Sequence, residues 1–489
     1  MVGKLNENNE RAAIAAHEAQ IHIGEVRYSS NQQLAIRLEQ AKVFMELMDV
    51  YDKRFGFFGP TRSGKSEGAK SVVDQILNYA ATHNLPLAVV IAGEAAEYHE
   101  DTVNGRSLRS LHDDRTIVFD MSGKPDRRPL KINFYEQRKE AFDIHHGFLG
   151  PNRQSMSQAV QTFLDVGVYE PDPSDRGDCN RARVVEAVID CMHHKAGFVP
   201  PPNRGIQFSV SQQVREAVNE HANAVLPDPN HGMTLENGVE WFSHLRGAHY
   251  SGQLPPSSGS GMPWCNNHLE ACLDMLEGKN NRGASIRGYR VLSEALPYHT
   301  PDRTSSVSDE IYDALSKGCG QLVIIDSSLG LPEVTESMIS RIMRDVFNRS
   351  RSIVNRGDQP VHIIVLIEEA HTLLPKNQDL TNIWSRIAKE GAKFGIGMMY
   401  LTQEISSIQP NILANTENIF AFGMNNEMEA RVLSHYFDFS DFQDSLLRSR
   451  DVGFARVKMH SRPFTIPVQL RPLNTGRSNE PQNINGGDF

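Results

Sequence analysis

The sequence predicts an α/β fold, a P-loop core with a parallel central sheet, plus a largely helical insertion. Three observations predict it. A glycine-rich segment at 59–66 stands between a short apolar run and a helix-forming stretch. The continuous apolar run at 85–92 has the length and composition of a strand buried on both faces. After residue 320, strand patterns alternate with helix patterns, the order that produces parallel sheets.

The segment at 59–66 has the spacing of a phosphate-binding loop, two glycines separated by four residues and followed by lysine and serine. Residues 55–58 predict a strand before it and 67–79 a helix after it, so backbone N–H groups at a helix N-terminus would point at phosphate oxygens. Lys65 would reach the β- and γ-phosphates of ATP, and Ser66 would bind Mg²⁺. The predicted nucleotide-binding residues are Gly59, Pro60, Thr61, Arg62, Ser63, Gly64, Lys65, Ser66 and Glu67.

Composition sets broad limits on the protein class. A chain of 489 residues has room for several domains, and its net charge of −10 argues against a surface that coats nucleic acid, although a local basic path such as a ring lumen stays open. The odd number of cysteines, five, fits a reducing cytosol. We expect a cytoplasmic protein, because the N-terminus has no apolar stretch of a signal peptide and no apolar run approaches the roughly 20 residues of a membrane span.

The chain divides by pattern into five segments. Residues 1–50 form a polar leader, partly helical because 39–48 has helical periodicity. The ATPase core is predicted at 51–136 and 305–473, and a mostly helical insertion lies at 137–304, where helix-like stretches alternate with Pro- and Gly-rich breaks. The tail at 474–489 is predicted to be flexible.

The second half of the candidate site follows the apolar run at 362–367, which ends in Glu368 and Glu369. In this pattern one carboxylate holds Mg²⁺ through water and the other polarises the attacking water. We assign Glu368 to the metal and Glu369 to catalysis. The alternative is a buried strand followed by two solvated glutamates. Gln403, after the strand predicted at 397–401, would sense the γ-phosphate or position water, or else simply end its strand.

Several short segments together resemble the HerA branch of the HerA/FtsK ATPases. They include Glu-Glu-Ala-His at 368–371, Ile-Ala-Lys-Glu-Gly-Ala-Lys-Phe-Gly-Ile-Gly at 387–397 and Thr-Gln at 402–403. The segments at 91–98, 322–329, 347–351 and 415–419 are also similar to that family. Together these stretches cover a little under half of the chain, all within the predicted core.

The resemblance implies a RecA-like fold assembled as a homo-hexameric ring that hydrolyses ATP with Mg²⁺ at subunit interfaces. Such rings usually translocate double-stranded DNA through the central pore. The family commonly works with a nuclease or another effector subunit, in DNA end processing or, in bacterial members, in anti-phage defence. By the same resemblance, Lys65, Glu369 and Gln403 are the catalytic candidates.

Two departures from the family pattern bear on function. Ala392 stands where the family usually has an arginine that acts across the interface, and the cations near it are Arg386, Lys389 and Lys393, of which Arg386 is taken as the catalytic candidate. About 50 residues precede the first core strand, too few for the family's N-terminal β-barrel. An effector would therefore dock on the leader or on the insertion.

Two other functions stay open at this point. A secretion or conjugation ATPase would move protein rather than DNA. A non-translocating hexameric scaffold would hold and regulate an effector enzyme, and the acidic net charge together with the missing arginine keeps that alternative alive.

Overall fold

The computed structural model describes residues 20–27, 41–102, 106–167, 170–256, 264–376, 382–437 and 439–473. The chain divides into two compact units. Unit 1 comprises residues 1–129, 308–329 and 339–489, and unit 2 comprises 130–307 and 330–338. Unit 1 therefore carries the phosphate-loop segment and the acidic strand end, and unit 2 carries most of the region that was predicted as an insertion.

The described residues contain fourteen strands, numbered here along the chain. They are β1 (Gln20–Val26), β2 (Lys42–Glu46), β3 (Arg54–Phe58), β4 (Leu87–Gly93), β5 (Thr116–Asp120), β6 (Arg128–Pro129), β7 (Gly205–Ile206), β8 (Met233–Thr234), β9 (Gln321–Asp326), β10 (His362–Ile367), β11 (Ile396–Thr402), β12 (Asn418–Phe422), β13 (Phe454–Met459) and β14 (Arg462–Leu470). All except β7 and β8 form one sheet in the order β2-β1-β14-β13-β12-β3-β11-β10-β4-β9-β5-β6.

The sheet of unit 1 is parallel through its centre. Every pair from β12 to β6 in that order is parallel, whereas β13, β14, β1 and β2 extend the sheet through antiparallel pairs. Strand β11 lies between β3, which precedes the phosphate loop, and β10, which precedes the two glutamates. The predicted α/β fold class, a RecA-like P-loop core with a parallel central sheet, is confirmed.

The core of unit 1 explains the continuous apolar runs in the sequence. Every residue of β9, and all of β4 except Gly93, is buried. The helix Lys65–Thr82 packs Val72, Val73 and Ile76 into the same apolar cluster as β3 and β4. Burying such a side chain contributes roughly 1.5–3 kcal/mol, so this cluster fixes the start of the helix relative to the sheet.

Helices outside residues 130–306 are mostly short. They are Leu47–Val50, Lys65–Thr82, Ala96–His99, Leu108–Leu111, Val307–Leu315, Pro332–Asn355, Ile383–Glu390, Pro410–Leu413, Glu427–Phe437 and Gln443–Arg448. In the described part of the chain, none of the helices combines the length and the apolar character that crossing a membrane would need.

The helical periodicity over 39–48 predicted the wrong structure. Strand β2 occupies Lys42–Glu46, and only Leu47–Val50 is helical. Val43 and Met45 are buried and alternate with more exposed neighbours, so a period of two fits these few residues as well as a helical period. The pairing of β2 with β1 in the sheet makes these residues a strand and not a helix. Both strands of the described part of the leader therefore belong to the central sheet.

The C-terminal end of the described chain is a hairpin that the sequence patterns did not predict. Strands β13 and β14 pair antiparallel, and β14 also pairs with β1 from the leader. The sheet thus joins the two ends of the described chain. The tail predicted to be flexible, 474–489, lies outside the described residues.

Unit 2 is mostly helical. Its helices within 130–306 are Arg138–Leu149, Gln158–Val166, Arg176–Ala196, Gln212–Ala222, Leu235–Tyr250 and Asn267–Glu277, with a 3₁₀ segment at Gly288–Tyr298. Strands β7 and β8 form a two-residue antiparallel pair. Four of these helices fall on stretches with helical patterns in the sequence, at 157–166, 181–192, 211–224 and 267–276.

Two buried histidines lie in the core of unit 2. Nε2 of His145 is 3.1 Å from Nε2 of His193, so one ring donates a hydrogen bond to the other. The rings of Phe134 and Phe198 are among those packed against this pair. Burial lowers the pKa of His145 to about 3 and lowers the pKa of His193 well below its usual value. Both imidazoles are therefore neutral in the folded protein at neutral pH.

We expect the free energy of unfolding of unit 2 to fall as the pH drops below about 6.5, the pKa of an unperturbed histidine. Below that pH the histidines of the unfolded chain bind protons, whereas the buried pair in the folded protein stays neutral. The free energy of unfolding therefore decreases progressively from pH 6.5 down to the lowered pKa values of the pair. At pH 5.5 the expected loss is about 1.4 kcal/mol for each histidine. Urea unfolding at pH 7.5 and 5.5 measures it.

Two variants separate this effect from other titrating groups. His145→Gln should roughly halve the pH-dependent loss, whereas substitution of the exposed His221 by glutamine should leave it unchanged. Identical pH dependence in wild type and His145→Gln would show that the buried pair does not control acid stability.

Candidate active site

The phosphate loop is fixed by its own backbone and by a neighbouring loop. Gly64 has φ +88°, and a Cβ added there would lie 2.4 Å from the backbone nitrogen of Gly453. That nitrogen donates a hydrogen bond to the carbonyl oxygen of Ser63 over 3.0 Å. Glycine is thus required at 64 by both conformation and space. The loop passes directly into the helix Lys65–Thr82, whose N-terminus has no side-chain cap.

Lys65 is a buried cation at the start of that helix. Its residue is 5% exposed, and Nζ lies 4.0 Å from Oε1 of Glu369. Burial lowers the pKa of Lys65, and the nearby carboxylates of Glu369 and Glu368 oppose that shift. A desolvated ammonium whose ion pair is this long is well placed to bind an additional anion.

Glu368 and Glu369 follow β10 but have different surroundings. Glu368 accepts a hydrogen bond from the Tyr98 hydroxyl, and burial raises the pKa of its carboxyl to about 7. Glu369 has φ +43°, in the left-handed region, and its side chain is 43% exposed. A non-glycine residue in that region is strained, a condition that clusters at functional sites.

Gln403 connects the phosphate loop with Glu369. It follows β11, the strand between β3 and β10. Its Nε2 donates to Oε1 of Glu369 over 3.0 Å, and its Oε1 accepts a hydrogen bond from Oγ1 of Thr61 over 2.8 Å. One amide therefore bridges the phosphate loop and the carboxylate of Glu369.

The remaining predicted site residues have other surroundings. Ser66 is half-buried in the first helical turn, whereas the carboxylate of Glu67 pairs with Lys70 over 2.8 Å. Arg386 lies on the helix Ile383–Glu390 with its guanidinium 4.9 Å from the centre of the Phe347 ring. The structure thus brings Lys65, Glu369 and Gln403 together and holds Arg386 against an aromatic ring.

The residues present fit a nucleotide with a divalent cation. Oγ of Ser63 and Oε2 of Glu369 are among the buried atoms of the described residues that lack a hydrogen bond, although Nδ1 of His371 lies 3.4 Å from Oε2. Buried polar atoms are normally satisfied, so such atoms beside the phosphate loop indicate groups that a ligand or its water shell engages. The uncapped helix N-terminus and the buried Lys65 provide the matching positive charge.

Sequence reasoning missed the parts played by three residues. Tyr98 binds Glu368, the ring of His371 approaches Glu369 with Nδ1 3.4 Å from Oε2, and Gly453 contacts the phosphate loop. Tyr98 carries a signal that could have been used: it comes shortly after β4, and the ends of neighbouring parallel strands β4 and β10 meet at one edge. No comparable local signal marks Gly453.

Comparison with known proteins agrees with the resemblance to HerA that the sequence motifs indicated. No protein-family model matches the chain. The DNA double-strand break repair helicase HerA of Saccharolobus solfataricus is 28% identical over 180 residues, covering 35% of this chain and 36% of that protein. Over that part of its length, this chain is similar to HerA. The corresponding helicase of Sulfurisphaera tokodaii is 30% identical over 125 residues, covering 24% and 25% of the two chains.

The HerA-like match is partial. The chain spans about a third or less of the length of these curated relatives. Among solved structures, VirB4 of Thermoanaerobacter pseudethanolicus is 11% identical with a TM-score of 0.40, covering 93% of this chain and 97% of that chain; the fold class rests on the sheet order instead. The predicted resemblance to HerA-type ATPases is confirmed, and with it the prediction of a P-loop ATPase core. The roles of individual site residues stay predictions.

Proposed function

We propose that the chain hydrolyses ATP with Mg²⁺. The observation that carries the proposal is the contact chain from Thr61 through Gln403 to Glu369, which places a half-exposed carboxylate beside the buried Lys65. A simple strand end would not require the Gln403 amide to bridge two other strand ends. Two solvated glutamates would not explain why Glu369 has a strained backbone next to a desolvated cation.

Each residue then has a chemical role. Backbone N–H groups of the loop and the Lys65 ammonium bind the phosphates and neutralise charge that develops on the γ-phosphoryl group. Glu369 accepts a hydrogen bond from the attacking water and polarises it, and Gln403 holds that carboxylate at its distance from the loop. Ser66 and, through water, Glu368 would hold Mg²⁺, which supplies further positive charge at the phosphates when bound.

We expect Glu369→Gln to bind ATP with nearly unchanged affinity and to hydrolyse it at least about 100-fold more slowly, because general-base assistance typically contributes 10²–10⁴-fold. Glu368→Gln should instead weaken the dependence of binding on Mg²⁺. Single-turnover hydrolysis and nucleotide binding by fluorescence anisotropy measure the two effects. If Glu368→Gln blocks hydrolysis while Glu369→Gln stays active, the two roles are reversed.

We further propose that the chain forms a ring, most simply a homo-hexamer, and that it translocates double-stranded DNA. The curated relatives are named DNA double-strand break repair helicases, which supports DNA as the substrate. Arg386, whose guanidinium lies against the Phe347 ring, stays the candidate for the cation that acts on a neighbouring subunit's γ-phosphate. Light scattering with ATP and Mg²⁺ tests the ring: a fully active monomer would refute it.

An effector subunit, a nuclease or a nucleotide-consuming enzyme, is the proposed partner, in anti-phage defence or DNA end processing in the cytoplasm. The docking region is the leader or unit 2. Because β1 and β2 belong to the central sheet, removing residues 1–50 would remove two strands. A truncation that begins at Gln20 is the matched test of the leader, read by co-purification with a partner from the native cells.

A scaffold that holds an effector without moving DNA is the second candidate. The net charge of −10 favours it, since DNA binding depends on positive surface charge. It shares the ATPase site and differs in its response to DNA.

The response of ATP turnover to duplex DNA separates the two functions. A translocase should hydrolyse ATP several-fold faster with linear duplex DNA, and the stimulation should fall steeply as salt rises because phosphate contacts release counterions. A scaffold should show unchanged turnover. Heparin at the same charge concentration controls for unspecific polyanion effects, and equal stimulation by heparin would argue against translocation.

A further inference from the structure

Glu368 and Glu369 are adjacent at the end of β10, so their separate roles depend on contacts that differ between the two side chains. Glu369 contacts Gln403 and approaches Lys65, as described above. The contact of Glu368 is on the other side, with the hydroxyl of Tyr98, a residue 270 positions away in the chain. Tyr98 is fully buried and lies in the helix Ala96–His99, directly after β4.

Asp326, the last residue of β9, makes hydrogen bonds at both ends of the helix that carries Tyr98. Oδ1 of Asp326 accepts a hydrogen bond from the Ala95 backbone nitrogen over 3.0 Å, and Oδ2 is 2.8 Å from Nε2 of His99. Both Asp326 and His99 are buried. The backbone around Tyr98 is therefore held to the neighbouring strand.

The Tyr98 ring also contacts a side chain of the helix that follows the phosphate loop. Nζ of Lys70 lies 5.3 Å from the ring centre, within the range of a cation–π contact. The same ammonium pairs with Glu67 over 2.8 Å and with Glu97 over 2.9 Å. Lys70 and Glu67 come from the helix that starts at Lys65, so this layer connects that helix with the end of β10.

We propose that Tyr98 is the positioning residue for Glu368: its hydroxyl fixes Oε1 and leaves Oε2 to bind a water of the nucleotide-bound Mg²⁺. The proposal deepens the ATPase function and rests on it. The hydrogen bond restricts rotation about the three rotatable bonds of the Glu368 side chain before the cation binds, so less conformational entropy is lost on binding. It also distinguishes the two glutamates, because Oε1 of Glu369 accepts its hydrogen bond from the Gln403 amide instead.

The test measures how much Mg²⁺ improves the affinity for a fluorescent, non-hydrolysable ATP analogue, as the ratio of its Kd in EDTA to its Kd in Mg²⁺. Residues that orient metal ligands typically change metal affinity 10–100-fold. We expect Tyr98→Phe to reduce this ratio about tenfold and to leave the Kd in EDTA unchanged. Tyr400→Phe is the matched control, because Tyr400 is a buried phenol of the same sheet whose hydroxyl pairs with Thr416 over 2.7 Å. It should keep the wild-type ratio.

A double-mutant cycle tests whether Tyr98 acts through Glu368. Combining Tyr98→Phe with Glu368→Gln should give the same ratio as Glu368→Gln alone, whereas independent effects would multiply. A wild-type ratio in Tyr98→Phe, or multiplication in the double variant, would overturn the positioning role while the ATPase function stands. A wild-type protein that binds no nucleotide would overturn both.

Discussion

Three neighbouring parallel strands end within two residues of one another at their carboxyl ends, and the whole candidate site depends on their register. Thr402 at the end of β11 pairs with Phe58 at the end of β3, and Ile367 at the end of β10 pairs with Tyr400. The residues that come next are therefore the phosphate loop, Gln403 and the two glutamates. A register shift of one residue would turn these side chains to the opposite face. The buried apolar strands thus fix the site by packing before any polar contact contributes.

The site stores unfavourable interactions that a nucleotide would relieve. Lys65 is desolvated, its ion pair with Glu369 is long, and the left-handed backbone of Glu369 costs of order 1–3 kcal/mol. These costs are offset by the packing of the helix Lys65–Thr82 against the sheet. A bound polyphosphate would add the missing charge–charge contacts, and the folded protein would gain stability in proportion to its occupancy.

Local sequence patterns predicted the parts of the fold and site that are local. The phosphate loop and the acidic strand end are short motifs whose spacing alone specifies a backbone geometry, and the apolar runs of β4, β9 and β10 have no competing interpretation. The strands of the leader and the hairpin of β13 and β14 were not predicted because their identity depends on pairing between opposite ends of the chain. Tyr98 was missed as a contact of Glu368 for the same reason, since 270 residues separate the two. Arg386 was predicted to replace the family arginine that acts across a subunit interface. A local sequence pattern in one chain does not specify which residue reaches a neighbouring subunit.

ATP turnover by Lys65→Ala tests the central claim, that a buried ammonium at the start of the phosphate-loop helix neutralises the phosphates of a hydrolysed nucleotide. Lys53 provides a control, because it immediately precedes the opposite end of β3. The account predicts that Lys65→Ala loses at least about 100-fold in turnover, equivalent to about 2.7 kcal/mol of transition-state stabilisation, whereas Lys53→Ala keeps wild-type turnover. Turnover by Lys65→Ala within about threefold of wild type would contradict it.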